Sequence, residues 1–301
     1  MKDLGKHLKR YHWLYIFLLP GFVFLVVFKY IPMAGIIVAF ENYNNVKGPF
    51  HSPFVGLQQF SYLFKSMDFY RVLGNSLLIS FYRLLAGFPA PILLALLLNE
   101  IRSQGYKRAM QTILYLPYFI SWVVVYGILL NFLSPSTGIV NKVIASLGGG
   151  AIPFMSSAKY FRSIVVLSDI WKSAGWGTVV YMAAIAGIDP TYYEAAIIDG
   201  AGRFRRIFNV TLPMISNTVI VMLVLRAGSI LSNGFEQIYL MQNALNNAVS
   251  EVFETYTYKV GLIQGRFSFS TAVGLFQSLV GVTLIFLTNR AARKLGEGGL
   301  W

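Results

Sequence analysis

Residues 189–213 read DPTYYEAAIIDGAGRFRRIFNVTLP, and their reading decides the fold. The stretch is polar, basic at its centre and helix-forming, yet it lies between two long apolar runs. Asp189 can cap a helix that starts at Pro190, because proline needs no donor there and its φ is already helical. That helix continues through Tyr192–Ile198, with Ala195, Ala196 and Ile198 on or near one face. Gly200 and Gly202 are candidate breakers, since glycine tolerates the left-handed conformation that ends helices. Arg203–Asn209 is expected to form a second short helix, and Pro213 suits the first turn of the next apolar run. Two short helices joined by a glycine turn make a small knob, a shape suited to docking into a partner.

The flanking composition places the knob on a membrane protein. Hydrophobic residues make up 56% of the 301 residues, charged ones only 12%, and the mean hydropathy is +0.59. A soluble domain carries about twice that charge. There is no cysteine, so disulfides and thiolate metal sites do not arise. A formal charge of +13 could suit nucleic acid, but its distribution points to membrane topology instead.

Six apolar runs are expected to span, each near the roughly 20 residues that a bilayer requires. The first extends from about Trp13 to Phe40, too long for a signal peptide's apolar core and without an A-x-A site, so it reads as a retained span. Lys29 and Pro32 interrupt it, predicting a kink or an exit near Tyr30. A polar loop follows over 41–70. The second run covers about Val72–Leu98, interrupted by Arg83, Pro89 and Pro91, and the third about Ala109–Leu133. A Gly-, Ser- and Pro-rich loop covers 134–160. The fourth run is about Ser163–Ile188, the fifth Leu212–Leu231 and the sixth Ser270–Thr288, with a polar segment over 232–268. The expected organisation is thus a cytoplasmic segment 1–12, a spanning domain 13–288 with a loop at 189–213, and a cytoplasmic tail 289–301.

Charge sets the orientation. An inside amino terminus puts Lys2, Lys6, Lys9, Arg10, Arg102, Lys107, Arg108, Arg203, Arg205, Arg206, Arg290, Arg293 and Lys294 in the cytoplasm. Only Lys47, Lys65, Arg71, Lys142, Lys159, Arg162, Lys259 and Arg266 lie outside. This bias follows the positive-inside rule and turns the knob and both termini towards the cytoplasm.

Within the spans the chemistry is sparse. No G-x-x-x-x-G-K-[ST] phosphate loop occurs, so any ATPase must be a separate chain. The histidines are His7, His12 and His51, no H-E-x-x-H is present, and no metal site is expected. A membrane-embedded hydrolase therefore has little to work with. Ionisable groups at bilayer depth mark a pathway or a paired site. They are Arg83, Asp169, Lys172 and Arg226. Asp169 and Lys172 stand three apart and could pair, or could face substrate. Arg83 and Arg226 could pair with Asp169 or Glu236, or line a path. Trp171, Trp176 and Tyr181 offer rings suited to sugar faces, but equally to lipid or core. Gly175 and Gly177 permit close helix contact. Glu236 and Gln237 open the polar segment that follows the fifth run.

Glu194-Ala195-Ala196, Gly200 three residues later, and Val210-Thr211-Leu212-Pro213 after nine more resemble the EAA loop of binding-protein-dependent importer permeases of the ATP-binding-cassette class. Val210 in place of isoleucine is the one departure. Asp199, Gly200, Ala201 and Phe208 narrow the likeness to the carbohydrate-uptake branch. The stretches 168–187 (SDIWKSAGWGTVVYMAAIAG) and 235–242 (FEQIYLMQ) are similar to its oligosaccharide and polysaccharide permeases, alginate and complex-glycan importers among them. The resemblance implies an all-α membrane protein with six transmembrane helices, the type I importer permease fold, in a bacterial-type cytoplasmic membrane. It implies no enzyme activity and no cofactor on this chain, ATP and Mg being held by two partner ATPase subunits. A second permease, expected as a different chain, an extracytoplasmic solute-binding protein and a carbohydrate substrate complete the implied assembly, and no nucleic acid is implied. The implied coupling residues are Glu194, Ala195, Ala196, Asp199, Gly200, Phe208, Leu212 and Pro213. Arg83, Asp169, Trp171, Lys172, Trp176, Arg226, Glu236 and Gln237 are the candidate substrate path. An excess of positive charge in the spans points to an acidic saccharide. The alternatives are the same architecture importing a non-sugar solute, or a membrane-embedded enzyme or scaffold.

Overall fold

The computed structural model describes residues 10–294, and the terminal residues 1–9 and 295–301, with Lys2, Lys6 and Lys9, lie outside the described residues. The described chain is helical, and no strand occurs among these residues beyond one isolated bridge between Glu41 and Phe54. It divides into two compact units, residues 10–66 with 257–275, and residues 67–256 with 276–294.

Among the described residues three helices are long and apolar enough to cross a membrane: α1 (His12–Phe40), α3 (Met67–Asn99) and, last of them, α14 (Phe267–Lys294). A short helix α2 (Gln58–Lys65) occupies the loop before α3. Two further apolar stretches are broken. The third expected span consists of α4 (Gln104–Phe119) and α5 (Trp122–Leu133), which meet at 99°. The stretch continues through α6 (Ile139–Ser146) to α7 (Ala158–Ala186), α8 (Pro190–Ile198) and α9 (Arg203–Met214). Helix α9 meets α10 (Ser216–Gly228) at 62°. The segment before α14 holds α11 (Phe235–Met241), α12 (Asn247–Ser250) and α13 (Phe253–Tyr258).

The helices continue through the prolines that interrupt the apolar runs. Lys29 and Pro32 do not end α1, nor do Arg83 and Pro89 end α3. In each case a π turn precedes the proline: Val26–Tyr30, Arg83–Gly87 and, in α9, Ile207–Thr211 before Pro213. The N–H groups of Ile31, Phe88 and Leu212 reach back five residues, to Val26, Arg83 and Ile207. A proline cannot donate, and its ring crowds the preceding turn. The wider turn relieves this without ending the helix.

The α4–α5 corner has a different origin. Pro117 opens a tight 3-10 turn, Ile120 is extended, and the Ser121 hydroxyl caps a new helix by accepting from Val124 N–H. Both units of that corner pack near α7, where a Cβ on Gly175 would lie 1.8 Å from the Leu114 carbonyl oxygen. Only glycine permits that approach.

Candidate functional site

The knob begins as its sequence dictates. Asp189 accepts from the Thr191 N–H at 2.9 Å, and Pro190 occupies the first helical position. This bond holds the exposed Asp189 carboxyl below the usual range for aspartate. Helix α8 ends at Gly200, whose φ is +74°. There Ala201 N–H donates to Ala196 at 2.8 Å and Gly200 N–H to Ile197 at 3.0 Å, the two bonds of a left-handed glycine stop. Nothing would touch a Cβ at Gly200, so backbone conformation rather than space selects glycine there. The second helix is longer than expected: α9 continues through Leu212 and Pro213 and breaks only at Ile215.

One side of the knob is fastened to the bundle. The Tyr193 hydroxyl lies 3.0 Å from the Thr211 hydroxyl, tying α8 to α9. Ile207 and Leu212 pack against a buried cluster of Ala95, Leu96, Tyr181, Ile185 and Ile215. The other side is unfinished. Ile198 is 86% exposed, Phe204 80% and Phe208 64%, with Glu194, Ala195 and Asp199 exposed around them and Ala196 half-buried. The end of α8 and the start of α9 thus carry three large exposed apolar side chains.

The candidate path residues separate into two sets. Arg83, 6% exposed, sits in the π turn of α3 and is held from three directions. One guanidinium N–H donates to the Asn233 carbonyl at 2.7 Å, another to Gln237 Oε1, and Nε lies 3.6 Å from Asp169 Oδ2. Gln237, 2% exposed, donates in turn to the Val165 carbonyl and the Ser168 hydroxyl at 2.8 and 2.9 Å. Asn233 N–H donates to Glu254 Oε1 at 2.6 Å, and its side-chain amide to the Ser76 carbonyl at 3.2 Å. This node joins α3, α7, α11 and α13. The segment over 232–268 is therefore built partly into the interior, with Asn233, Asn246, Ser250 and Glu251 buried.

Lys172 does not pair with Asp169. Its ammonium donates to the Tyr118 carbonyl at 2.6 Å and lies 5.4 and 5.6 Å from the ring centroids of Tyr118 and Trp122. It thereby satisfies a carbonyl left open at the α4–α5 corner, where a cation is favoured. Trp176 stacks on Tyr118 at 5.0 Å, while Trp171 is half exposed. Arg226 is exposed at the last turn of α10 and, with Asp169, Ser173, Gly177 and Tyr181, lines a cavity of about 200 Å³. Glu236 is exposed and lines no described cavity. The sequence reading did not foresee Tyr193, Thr211, Asn233 or Glu254. The left-handed Gly234 after Asn233 was the one local sign of a special turn there.

Residues 87–296 match the model of a family described as the binding-protein-dependent transport system inner membrane component. The chain belongs to this family. Among the permease's relatives, the protein LplB of Bacillus subtilis is 50% identical over 98% of this chain and 92% of its own length. The polygalacturonan/rhamnogalacturonan transport system permease protein YteP of the same organism is 45% identical, over 96% and 90%. Among solved structures, a chain of a bacterial alginate ABC transporter, in complex with its alginate pentasaccharide-bound periplasmic protein, superposes with a TM-score of 0.90. That match has 41% identity and covers 99% of both chains.

Proposed function

We propose that the permease is the membrane subunit of an ATP-driven oligosaccharide importer and that residues 189–213 are its coupling loop. The observation that carries the reading is a knob with one face fastened into the bundle and the other left apolar and exposed. Glu194, Ala195, Ala196, Asp199 and Gly200 shape the projecting part, Phe208 inserts as the apolar plug, and Leu212 and Pro213 join it to the bundle. ATP and Mg reside on a pair of partner ATPases, each seated on one such knob, and a second, different permease chain completes the path. Six spans fit this reading: α1, α3, the α4–α5 pair, α7, the α9–α10 pair and α14. The 29 residues of helix α7 reach about 43 Å. Both termini and the knob then face the cytoplasm, and an extracytoplasmic binding protein delivers the sugar on the other side.

Mechanistically, the partner must hold the knob in two states of the bundle, so that ATP binding biases one of them. The Tyr193–Thr211 tie and the cluster beneath Ile207 and Leu212 make the knob move as one piece with α7 and α10. Along the path, Asp169 and Arg226 face open space and are the groups placed to meet hydroxyls, with Trp171 and Trp176 near by. Arg83, Gln237 and Lys172 hold the surrounding backbone instead. A carbohydrate cargo is supported by what the similar YteP and alginate transporters are named for. Reconstituting the permease with its partner permease, ATPase and binding protein tests the whole reading. Labelled oligosaccharide should accumulate in the vesicles only with ATP and all subunits present. Uptake without the ATPase, or uptake of a peptide or phosphodiester but of no oligosaccharide, would contradict it.

A further inference from the structure

Lys159 and Arg162 stand one turn apart near the start of α7, and both line a cavity of about 620 Å³. Its walls include Tyr82 and Leu85 of α3 and Ser163 and Val166 of α7, with no carboxylate among them. A volume of this size suits a small organic ligand. Among the described residues, neither cation belongs to an ion pair. Arg162 donates once, to Asn75 Oδ1 at 3.0 Å, while its buried Nε has no hydrogen-bond partner. The Lys159 ammonium lies 5.5 Å from the Tyr160 ring centroid, an interaction that leaves its donors available.

The contrast with the deeper cations gives this direction. Arg83 and Lys172 are engaged by protein groups, whereas Lys159 and Arg162 line the larger cavity without an ion pair, as Arg226 lines the smaller one beside Asp169. The smaller cavity at Asp169, Ser173 and Gly177 is lined from the same helix. Residues 159, 162, 166, 170, 173 and 177 recur at three- and four-residue intervals and therefore share one face of α7. The two cavities follow one another along that face.

We propose that the Lys159–Arg162 cavity binds the carboxylate of a uronate-bearing saccharide and forms the outer station of the path. The Arg162 fork suits a carboxylate, Lys159 adds a second charge, and Tyr82 and Ser163 offer a ring face and a hydroxyl to the sugar. The proposal rests on the carbohydrate reading and narrows it to acidic saccharides.

The test uses the complete reconstituted transporter and two probes, trigalacturonate and its carboxyl-reduced trisaccharide. Wild type should prefer the acid, and Lys159→Gln with Arg162→Gln should lower the acid-to-neutral ratio of uptake efficiency about tenfold. Lys159→Gln alone should lower the ratio in part, and Arg162→Lys should retain most of it. Because the readout is a ratio at equal membrane abundance, a general loss of folding does not mimic the effect. A ratio unchanged in every variant overturns the proposal. So does an effect seen only in vesicles containing anionic lipid, which would make the cavity a lipid headgroup site. Equal wild-type uptake of both trisaccharides refutes it and leaves the carbohydrate reading standing. Failure to move either one removes both.

Discussion

The knob at 189–213 and the node around Arg83 are both built from short helices, special turns and arginines, yet they are finished in opposite ways. In the node, groups that water would normally satisfy are satisfied by protein: Arg83 reaches Asp169, Asn233 and Gln237, and Gln237 reaches α7. In the knob, apolar groups that a folded protein would normally cover are left bare, Ile198 and Phe204 foremost. The difference shows why a partner is proposed for one and not the other. The node meets its polar groups with protein, down to the 3.6 Å ion pair that is all Arg83 Nε has, whereas the exposed apolar face of the knob is where we propose that a partner sits.

The comparison breaks first at Arg83. Arg83→Met leaves Asp169, Asn233 and Gln237 without their common donor, and losing one member of a buried pair costs about 3 kcal/mol. Thermal unfolding of the purified protein should show a large drop, and Arg83→Met combined with Asp169→Asn should recover part of it. Unchanged stability in Arg83→Met would mean that the node holds nothing.

A smaller effect is expected at the α4–α5 corner. Lys172→Met removes the donor to Tyr118 and should cost about 2 kcal/mol, the range for an abandoned buried carbonyl. It should also raise proteolysis near 117–122 more than elsewhere. Cleavage spread evenly along the chain would argue against a local role for Lys172.

The smallest effect sharpens the knob. Gly200→Ala forces a side chain into a left-handed backbone, at about 1 kcal/mol, although space is available. Gly202→Ala meets neither difficulty, since its φ is −67° and nothing lies within 4 Å. Coupled uptake should therefore fall in Gly200→Ala and stay near wild type in Gly202→Ala. Equal behaviour of the two would remove the glycine stop from the account.

Much of the knob was legible because its determinants are local. An Asp-Pro start and a glycine stop act within a few residues, and the positions 189, 190 and 200 stand as the sequence reading placed them. The long helices α1, α3 and α14 were legible from apolar length, whereas α2, α6 and α11–α13 lie in stretches that read as loop or polar segment. The form of the interruptions was not legible either: Pro32 and Pro89 were expected to interrupt their runs, and periodicity carries no sign of the π turns that precede them. The real breaks lie at Ile120 and Ile215, within apolar runs where only Pro117 and Ser121 hinted at one of them. The node was illegible for a different reason. Arg83 meets partners about 150 residues away, at Asn233 and Gln237, and no local pattern reports such a meeting.

The claim that the bare face of the knob is a docking surface is tested most directly by co-purification. Ile198→Glu and Phe208→Glu place charges on the exposed face without touching Tyr193, Thr211 or the cluster below Ile207. Purified by a tag on the permease, each variant should lose its ATPase while its melting temperature stays within about 2 °C of wild type, as surface changes do. Full retention of the ATPase in both variants would contradict the account.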